Sequence, residues 1–422
     1  MTQADIVLLF ADLALIILVA QLAGRAARAL GQPAVLGEIV AGILMGPTLF
    51  HGAVAATLFP TGVRPYLTTL ADVGLVLFMF VIGLEFNYER LRGFGRVTGT
   101  TALSAALLPF ALGCTLALYL LGHHTTGNRL GFVLFFGVAM SITAFPVLAR
   151  ILVDHRMNKT LVGAIALSAA AVCDLAGWSM LALVQALVGG GNSRHWLVLL
   201  IVPFGAVLAF VVRPLLKRLL TGPGAGRALT ASRFSVVLAC LFGSAAVTEL
   251  LGLHFVFGAF LFGLVMPRKA TERARTELLE RSKTATGFLL PVYFIVAGLN
   301  VDLGAMGFTG LLELGLILVT AVVGKMAGTF VTARAEGMST RRSTVLATLM
   351  NTRGLTELIV LGIGLRIGML DRSLYAQMVV MAVVTTAMTG ILLRWLVGRE
   401  DRNPPETAAT ALREEEPAGA LS

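Results

Sequence analysis

The chain has little charge. Asp, Glu, Lys and Arg make up 13% of its 422 residues, about half the share in an average soluble domain. A water-soluble fold of this size has no polar coat at that composition, so soluble, disordered and coiled-coil classes are excluded. Cysteine is scarce as well. Cys114, Cys173 and Cys240 all lie in apolar runs, which gives neither a disulfide framework nor a CxxC metal pair. The sequence lacks an HExxH, a paired DDxxD, a GxSxG with suitable partners and a Walker-type lysine motif. An intramembrane enzyme therefore has no support, and no cofactor is expected. No basic stretch precedes the apolar residues 6–23, so they read as a first span and not as a cleaved leader.

Apolar length is what the chain has in quantity. Hydrophobic residues reach 57% and the mean hydropathy is +0.87. A transmembrane β-barrel would show alternating segments of about ten residues; these runs are long and continuous. Stretches able to cross about 30 Å of hydrocarbon fall near 5–23, 33–50, 67–86, 97–121, 130–153, 161–187, 196–216, 232–251, 253–267, 285–303, 309–333, 344–368 and 374–397. The expectation is an all-α polytopic membrane protein of about thirteen transmembrane helices.

The net charge of +10 sits in short loops between those runs, which argues against a nucleic-acid partner. With the N-terminus outside, 26 of the 33 basic residues fall in inside loops and tail, five fall outside (Arg64, Arg129, Arg194, Arg366 and Arg372), and Lys325 and Arg353 lie within spans. That split is a strong positive-inside signal. It predicts an integral, multi-pass protein of the plasma membrane with the N-terminus outside and the C-terminus cytoplasmic. Residues 399–422, rich in Ala, Glu and Pro, read as a short charged cytoplasmic tail without packed structure. Residues 1–398 read as one transmembrane domain.

An internal repeat runs through that domain. Span two holds Gly37 and Gly42, and span nine holds Gly258 and Gly263, at an offset of 221 residues. Span three ends Val81-Ile-Gly-Leu-Glu, and span ten ends Val296-Ala-Gly-Leu-Asn, at an offset of 215. Partners seven spans apart run in opposite directions, so repeat one (5–187) and repeat two (232–397), joined by a linker helix at 196–216, are inverted copies. Such inverted-topology repeats are a feature of secondary transporters.

Polar residues inside spans are costly and tend to be functional. Asp174, preceded by Cys173, sits near the middle of span six. A lone carboxylate there holds a proton or a cation, never both, and that exclusion is the basis of exchange. Lys325 lies too deep in span eleven to snorkel, and Asp174 is its natural partner. Ser141, Thr143 and Pro146 in span five, and Asn351, Thr352, Gly354 and Glu357 in span twelve, occupy the fifth position of each repeat. These segments read as interrupted helices whose freed groups face a midplane ion. Arg353 and Glu357, four residues apart, can pair on one helix face as a structural brace. Asp12 and Glu313 have no assigned role.

The segments GEIVAGILMGP, FMFVIGLEF, SITAFPVLARIL, SAAAVCDLAGW, GLHFVFGAFLFGLVMP, GKMAGT and NTRGLTELIVL occur in that order. Together they resemble the monovalent cation/proton antiporter family, in the branch of plant cation/proton exchangers and bacterial potassium-efflux antiporters, over roughly residues 5–397. The resemblance implies a sodium/proton antiporter-like fold with crossed discontinuous helices, a moving six-helix core, a dimerisation domain and a homodimer. It implies exchange of sodium or potassium for protons by elevator-like alternating access, with ion and proton at Asp174. Around that residue it places Cys173, Ser141, Thr143, Asn351 and Thr352, with Lys325, Arg353 and Glu357 compensating charge.

Two departures bear on mechanism. The residue before the family's aspartate is often Asp, Asn or Gln, and here it is Cys173, a poor ligand for hard cations. One titrating acid at the centre suggests electroneutral one-for-one exchange. The potassium-efflux relatives carry a C-terminal nucleotide-binding regulatory domain, and none is expected here. A channel or uniporter, and a proton-coupled exporter of an organic ion, are the alternative functions on this fold.

Overall fold

Within lipid every backbone polar group must be satisfied internally, so long apolar runs fold as helices. The computed structural model describes residues 3–48, 52–85, 95–124, 127–157, 160–188, 200–221, 229–267, 272–304 and 307–396. The expected tail at 399–422 lies outside the described residues.

The first repeat contains α1 (Gln3–Ala29), α2 (Ala34–Met45), a short α3 (Ala53–Leu58), α4 (Arg64–Glu85), α5 (Arg96–Leu120), α6 (Arg129–Ser141), α7 (Phe145–Asp154) and α8 (Leu161–Val188). Next come α9 (Ile201–Val207), a π-helical turn (Leu208–Val212) and α10 (Arg213–Thr221). The second repeat contains α11 (Ala231–Leu250), α12 (Phe255–Val265), α13 (Glu272–Leu299), α14 (Phe308–Ala335), α15 (Thr340–Met350), α16 (Leu355–Arg366) and α17 (Arg372–Leu396). Among the described residues nine helices are long and apolar enough to cross a membrane, counting α6 and α7 as one, and α2 and α12 are shorter apolar helices.

The helices pack in two groups. In the first, α4 lies against α12 and α13, α2 against α1 and α13, and α11 against α12. In the second, α5 lies against α14, α6 and α8, while α14 also packs on α15 and α17. The first group is drawn together by glycine. A Cβ on Gly42 would collide with the backbone of Ile295 and Gly298, and one on Gly83 with Phe260 and Gly263. Gly42 corresponds to Gly263 in the repeat, and Gly83 to Gly298, so the two contacts are images of one another. The outer pair behaves alike: Gly37 abuts the Ala23 carbonyl and Gly258 the Ser244 carbonyl, again 221 residues apart on both sides.

Polar ties join the two groups. At one end the Arg366 guanidinium meets Asp72 at 2.6 Å, and the Gln185 side-chain carbonyl accepts from the His254 amide at 3.2 Å. The Tyr375 hydroxyl donates to the Ala297 carbonyl at 3.1 Å. At the other end Arg394 donates to the Leu30 carbonyl at 2.8 Å, and Gln32 to that of Ala387 at 3.2 Å.

Candidate functional site

Two helices break at mid-length, and the breaks face each other. α6 stops at Ser141 and α7 starts at Phe145, with Ile142 extended between them. Pro146 falls in the first turn of α7, where its missing N–H costs nothing. α15 stops at Met350 and α16 starts at Leu355. Gly354 between them has φ +151° and ψ −126°, a conformation that side-chain-bearing residues rarely adopt. A Cβ there would also lie 2.8 Å from Val147. The Ala144 amide donates to the Thr352 carbonyl at 3.2 Å, which stitches one break to the other.

A broken helix exposes carbonyls at one stump and N–H groups at the next. The carbonyl stump of α6 is met by two cations. Arg353 donates to the Ala139 carbonyl at 3.1 Å and to that of Met140 at 2.6 Å. Lys325 donates to the Ser141 carbonyl and, at 2.6 Å, to the Thr143 hydroxyl. Positive groups at a helix C-terminus also complement its dipole. Arg353 pairs in addition with Glu357 at 2.6 Å, both fully buried, and its own carbonyl accepts from Thr386 on α17 at 2.7 Å.

The opposite stump receives the acid. The Phe145 amide, at the start of α7, donates to Asp174 Oδ2 at 3.3 Å. Asp174 is 5% exposed, and its Oδ1 has no protein partner among the described residues. At the same crossing both amide atoms of Asn351, the hydroxyls of Thr352 and Thr356, and Glu357 Oε2 are buried and equally unspent. The described residues hold no cluster of three His, Cys, Asp or Glu suited to a multivalent metal.

Three residues differ from expectation in what they touch. Lys325 does not pair directly with Asp174: its donors go to the Ser141 carbonyl and the Thr143 hydroxyl at the end of α6, where a helix break leaves acceptors without their intrahelical donors. The Ser141 hydroxyl turns back to the Val138 carbonyl at 2.8 Å, so only its carbonyl faces the crossing. The Cys173 thiol points to the Ala102 carbonyl on α5 at 3.4 Å. Thr386 was missed; the run Thr385-Thr386 and Thr389 in an otherwise apolar span was the available signal.

A second polar group lies at the end of the bundle where α5 finishes. The His124 ring sits between Asp371 at 2.6 Å and Glu313 at 3.2 Å. Glu313 also accepts from Gln377 at 3.0 Å, which gives it a structural place. Burial pulls the His124 pKa down, but hydrogen bonds to the two carboxylates and their charges outweigh it and hold the ring above the ordinary histidine value. Burial pushes Asp371 up, and the bond from His124 together with the Leu374 amide more than offsets it.

The family described as sodium/hydrogen exchanger, transmembrane, matches residues 14–399. The chain is 35% identical over 403 residues to Na(+)/H(+) antiporter NhaS4 of Synechocystis sp., covering 93% of this chain and 98% of that one. It is 37% identical over 401 residues to Cation/H(+) antiporter 20 of Arabidopsis thaliana, covering 90% of this chain and 47% of the relative. It is 33% identical over 382 residues to K(+)/H(+) antiporter 1 of Saccharomyces cerevisiae, covering 85% and 43%. The chain thus spans about half the length of the plant and yeast relatives. In fold it is similar to the solved sodium proton antiporter MjNhaP1 of Methanocaldococcus jannaschii, with a TM-score of 0.63 and 14% identity over 97% of this chain and 99% of that one.

Proposed function

The chain belongs to the sodium/hydrogen exchanger family, and from that premise we propose that it is a secondary antiporter exchanging a monovalent cation, sodium or potassium, for protons at Asp174. The observation that carries the reading is the state of that carboxylate. One oxygen is held by the Phe145 amide, and the other is buried and unspent beside a second break that offers neutral oxygens. An ionised, empty carboxylate is expensive to move through a dry barrier, whereas one bearing a proton or an alkali cation is nearly neutral. Only loaded crossings proceed, and that couples the two fluxes.

Asn351 and Thr352 supply neutral oxygen ligands from the facing break, with Thr143 completing the shell. Lys325 and Arg353 keep the carbonyl stump of α6 compensated, and Lys325 competes with the cation for Asp174 through its charge. The helix group containing α5–α8 and α14–α17 moves as an elevator against the other group in a homodimer in the plasma membrane, with the N-terminus outside. Glu357 is held by Arg353, which leaves Asp174 as the acid that loads and makes the exchange one-for-one and electroneutral. Neutral Cys173, turned toward α5, takes no part in ligation.

Proteoliposomes report the activity directly. Internal pH is followed after adding sodium, potassium or neither, with and without an imposed membrane potential. Proton movement should require one of the two cations and ignore voltage at saturating ion. Proton flux without a cation, or cation flux without a pH change, would instead favour a channel or uniporter.

A further inference from the structure

The ties between the two helix groups are unequal at their two ends. At one end the tie is made of charge. Arg366 closes α16, in one group, and its guanidinium meets the Asp72 carboxylate of α4, in the other, at 2.6 Å. The same guanidinium lies 5.9 Å from the centre of the Phe255 ring on α12, within the range of a cation–π contact. One arginine is therefore gripped from two helices across the boundary. At the opposite end Arg394 and Gln32 reach only the backbone carbonyls of Leu30 and Ala387. There a cavity of about 270 Å³ opens between the groups, with Pro33 and Val35 on one side and Pro146 and Val147 on the other.

The inverted repeat makes this inequality informative, because a device built from matching positions would recur at both ends. The partner helices α7 and α16 start at 145 and 355, 210 residues apart, so Arg366 corresponds to Arg156. In α4 and α13 the offset is 215, so Asp72 corresponds to Gly287, where an added Cβ would meet nothing within 4 Å. The basic half of the pair is thus written twice and the acidic half once. We propose that Arg366 and Asp72 form a one-sided latch. It favours the arrangement closed at its own end, and the corresponding positions supply no pair that favours the reverse. Whenever the groups part at that end, the ion pair breaks and Phe255 releases the guanidinium. Removing either charge therefore raises the population open at the latch end. The effect on transport rests on the antiporter reading, while the latch itself does not.

The test uses the full chain in lipid nanodiscs, carrying Cys114→Ala and Cys240→Ala with Ala297→Cys as a reporter. Ala297 is buried, and its carbonyl accepts from Tyr375 across the boundary at the latch end. Cys173, buried against α5 within one group, is the control. Labelling of both thiols by a water-soluble maleimide is followed by mass spectrometry. Asp72→Asn or Arg366→Gln should speed reporter labelling roughly threefold to tenfold, the range of a partly exposed ion pair with a ring contact, and Phe255→Leu about twofold. Combining Asp72→Asn with Arg366→Gln should add little to Arg366→Gln alone, because both remove one contact. Cys173 should stay slow throughout. In proteoliposomes Asp72→Asn should lower the cation concentration needed from the latch side by the same factor as the labelling change. Unchanged reporter labelling in both single variants overturns the latch, as does full additivity in the double variant, and as does equal acceleration at Cys173, which marks general loosening. Faster reporter labelling in a protein that exchanges nothing would sink the antiporter reading and leave the latch standing.

Discussion

The two helix groups solve one problem in opposite ways. Both bring backbone against backbone in the middle of a membrane. In the group of α2, α4, α12 and α13 the side chains are removed: Gly42 meets Gly298, and Gly83 meets Gly263, and none of these helices breaks where they meet. In the other group the helices themselves are opened, and the freed groups are taken up by Arg353, Lys325, Thr386 and Asp174. The first solution opens no helix at these contacts. The second leaves a carboxylate oxygen, an amide and hydroxyls without partners among the described residues, which is the opening the proposed ion site uses. Close packing and unspent polar groups are thus separated in space, as the proposed carrier on a fixed support requires.

The largest test of that division is Asp174→Asn. It should abolish exchange in proteoliposomes while the melting temperature holds or rises, because a buried ionisable group has been replaced by a neutral one. Full exchange by that variant would remove Asp174 from the mechanism. Gly83→Val reverses the pattern: the added side chain strikes the backbone of α12, and stability should fall by about 1–3 kcal/mol, with exchange lost only in proportion to unfolded protein. Unaltered thermal unfolding would refute the close packing. Lys325→Met tests both sides at once. The Ser141 carbonyl and Thr143 hydroxyl lose their donor, so melting should drop by about 1–3 kcal/mol together with a reduced exchange rate. A variant that melts normally would mean that the stump of α6 needs no cation.

Smaller still is Thr386→Val, which strips one donor from the Arg353 carbonyl. About 1 kcal/mol of stability is expected to go, measurable by denaturation, with a shift in apparent cation affinity if Arg353 is displaced. The smallest effect is at the far end of the bundle. The raised His124 contributes stability fully at pH below the ordinary histidine value, and that contribution is lost as pH rises through its higher folded-state value. The depressed Asp371 contributes above the ordinary carboxylate value, and its share is lost as pH falls through the lower one. Melting of the unaltered protein should therefore plateau between those two ordinary values and decline on both sides. His124→Gln should lose the alkaline decline, and an unchanged pH curve in that variant would exclude the ring from the linkage.

Much of this was readable from the residues. Interruptions at 141–146 and 351–357 follow from hydroxyls, Pro146 and Gly354 in otherwise apolar runs. The glycine spacings that mark the repeat in the sequence fall at the close helix contacts of the fold. What periodicity could not give was partnership. Asp174 and Lys325 are opposite charges at similar depth, and simple attraction pairs them; the structure spends Lys325 on carbonyls instead, because the need for a donor arises only once α6 has broken at a particular residue. Thr386 was invisible for the same reason: a hydroxyl on an apolar helix ordinarily bonds its own preceding turn, as this one also does to Ala382.

The exchanged glycine contacts carry a further consequence. Because Gly42 on Gly298 and Gly83 on Gly263 are one contact built twice, the two halves of the chain are clamped to each other at two matching points, and a side chain added at either would pry them apart.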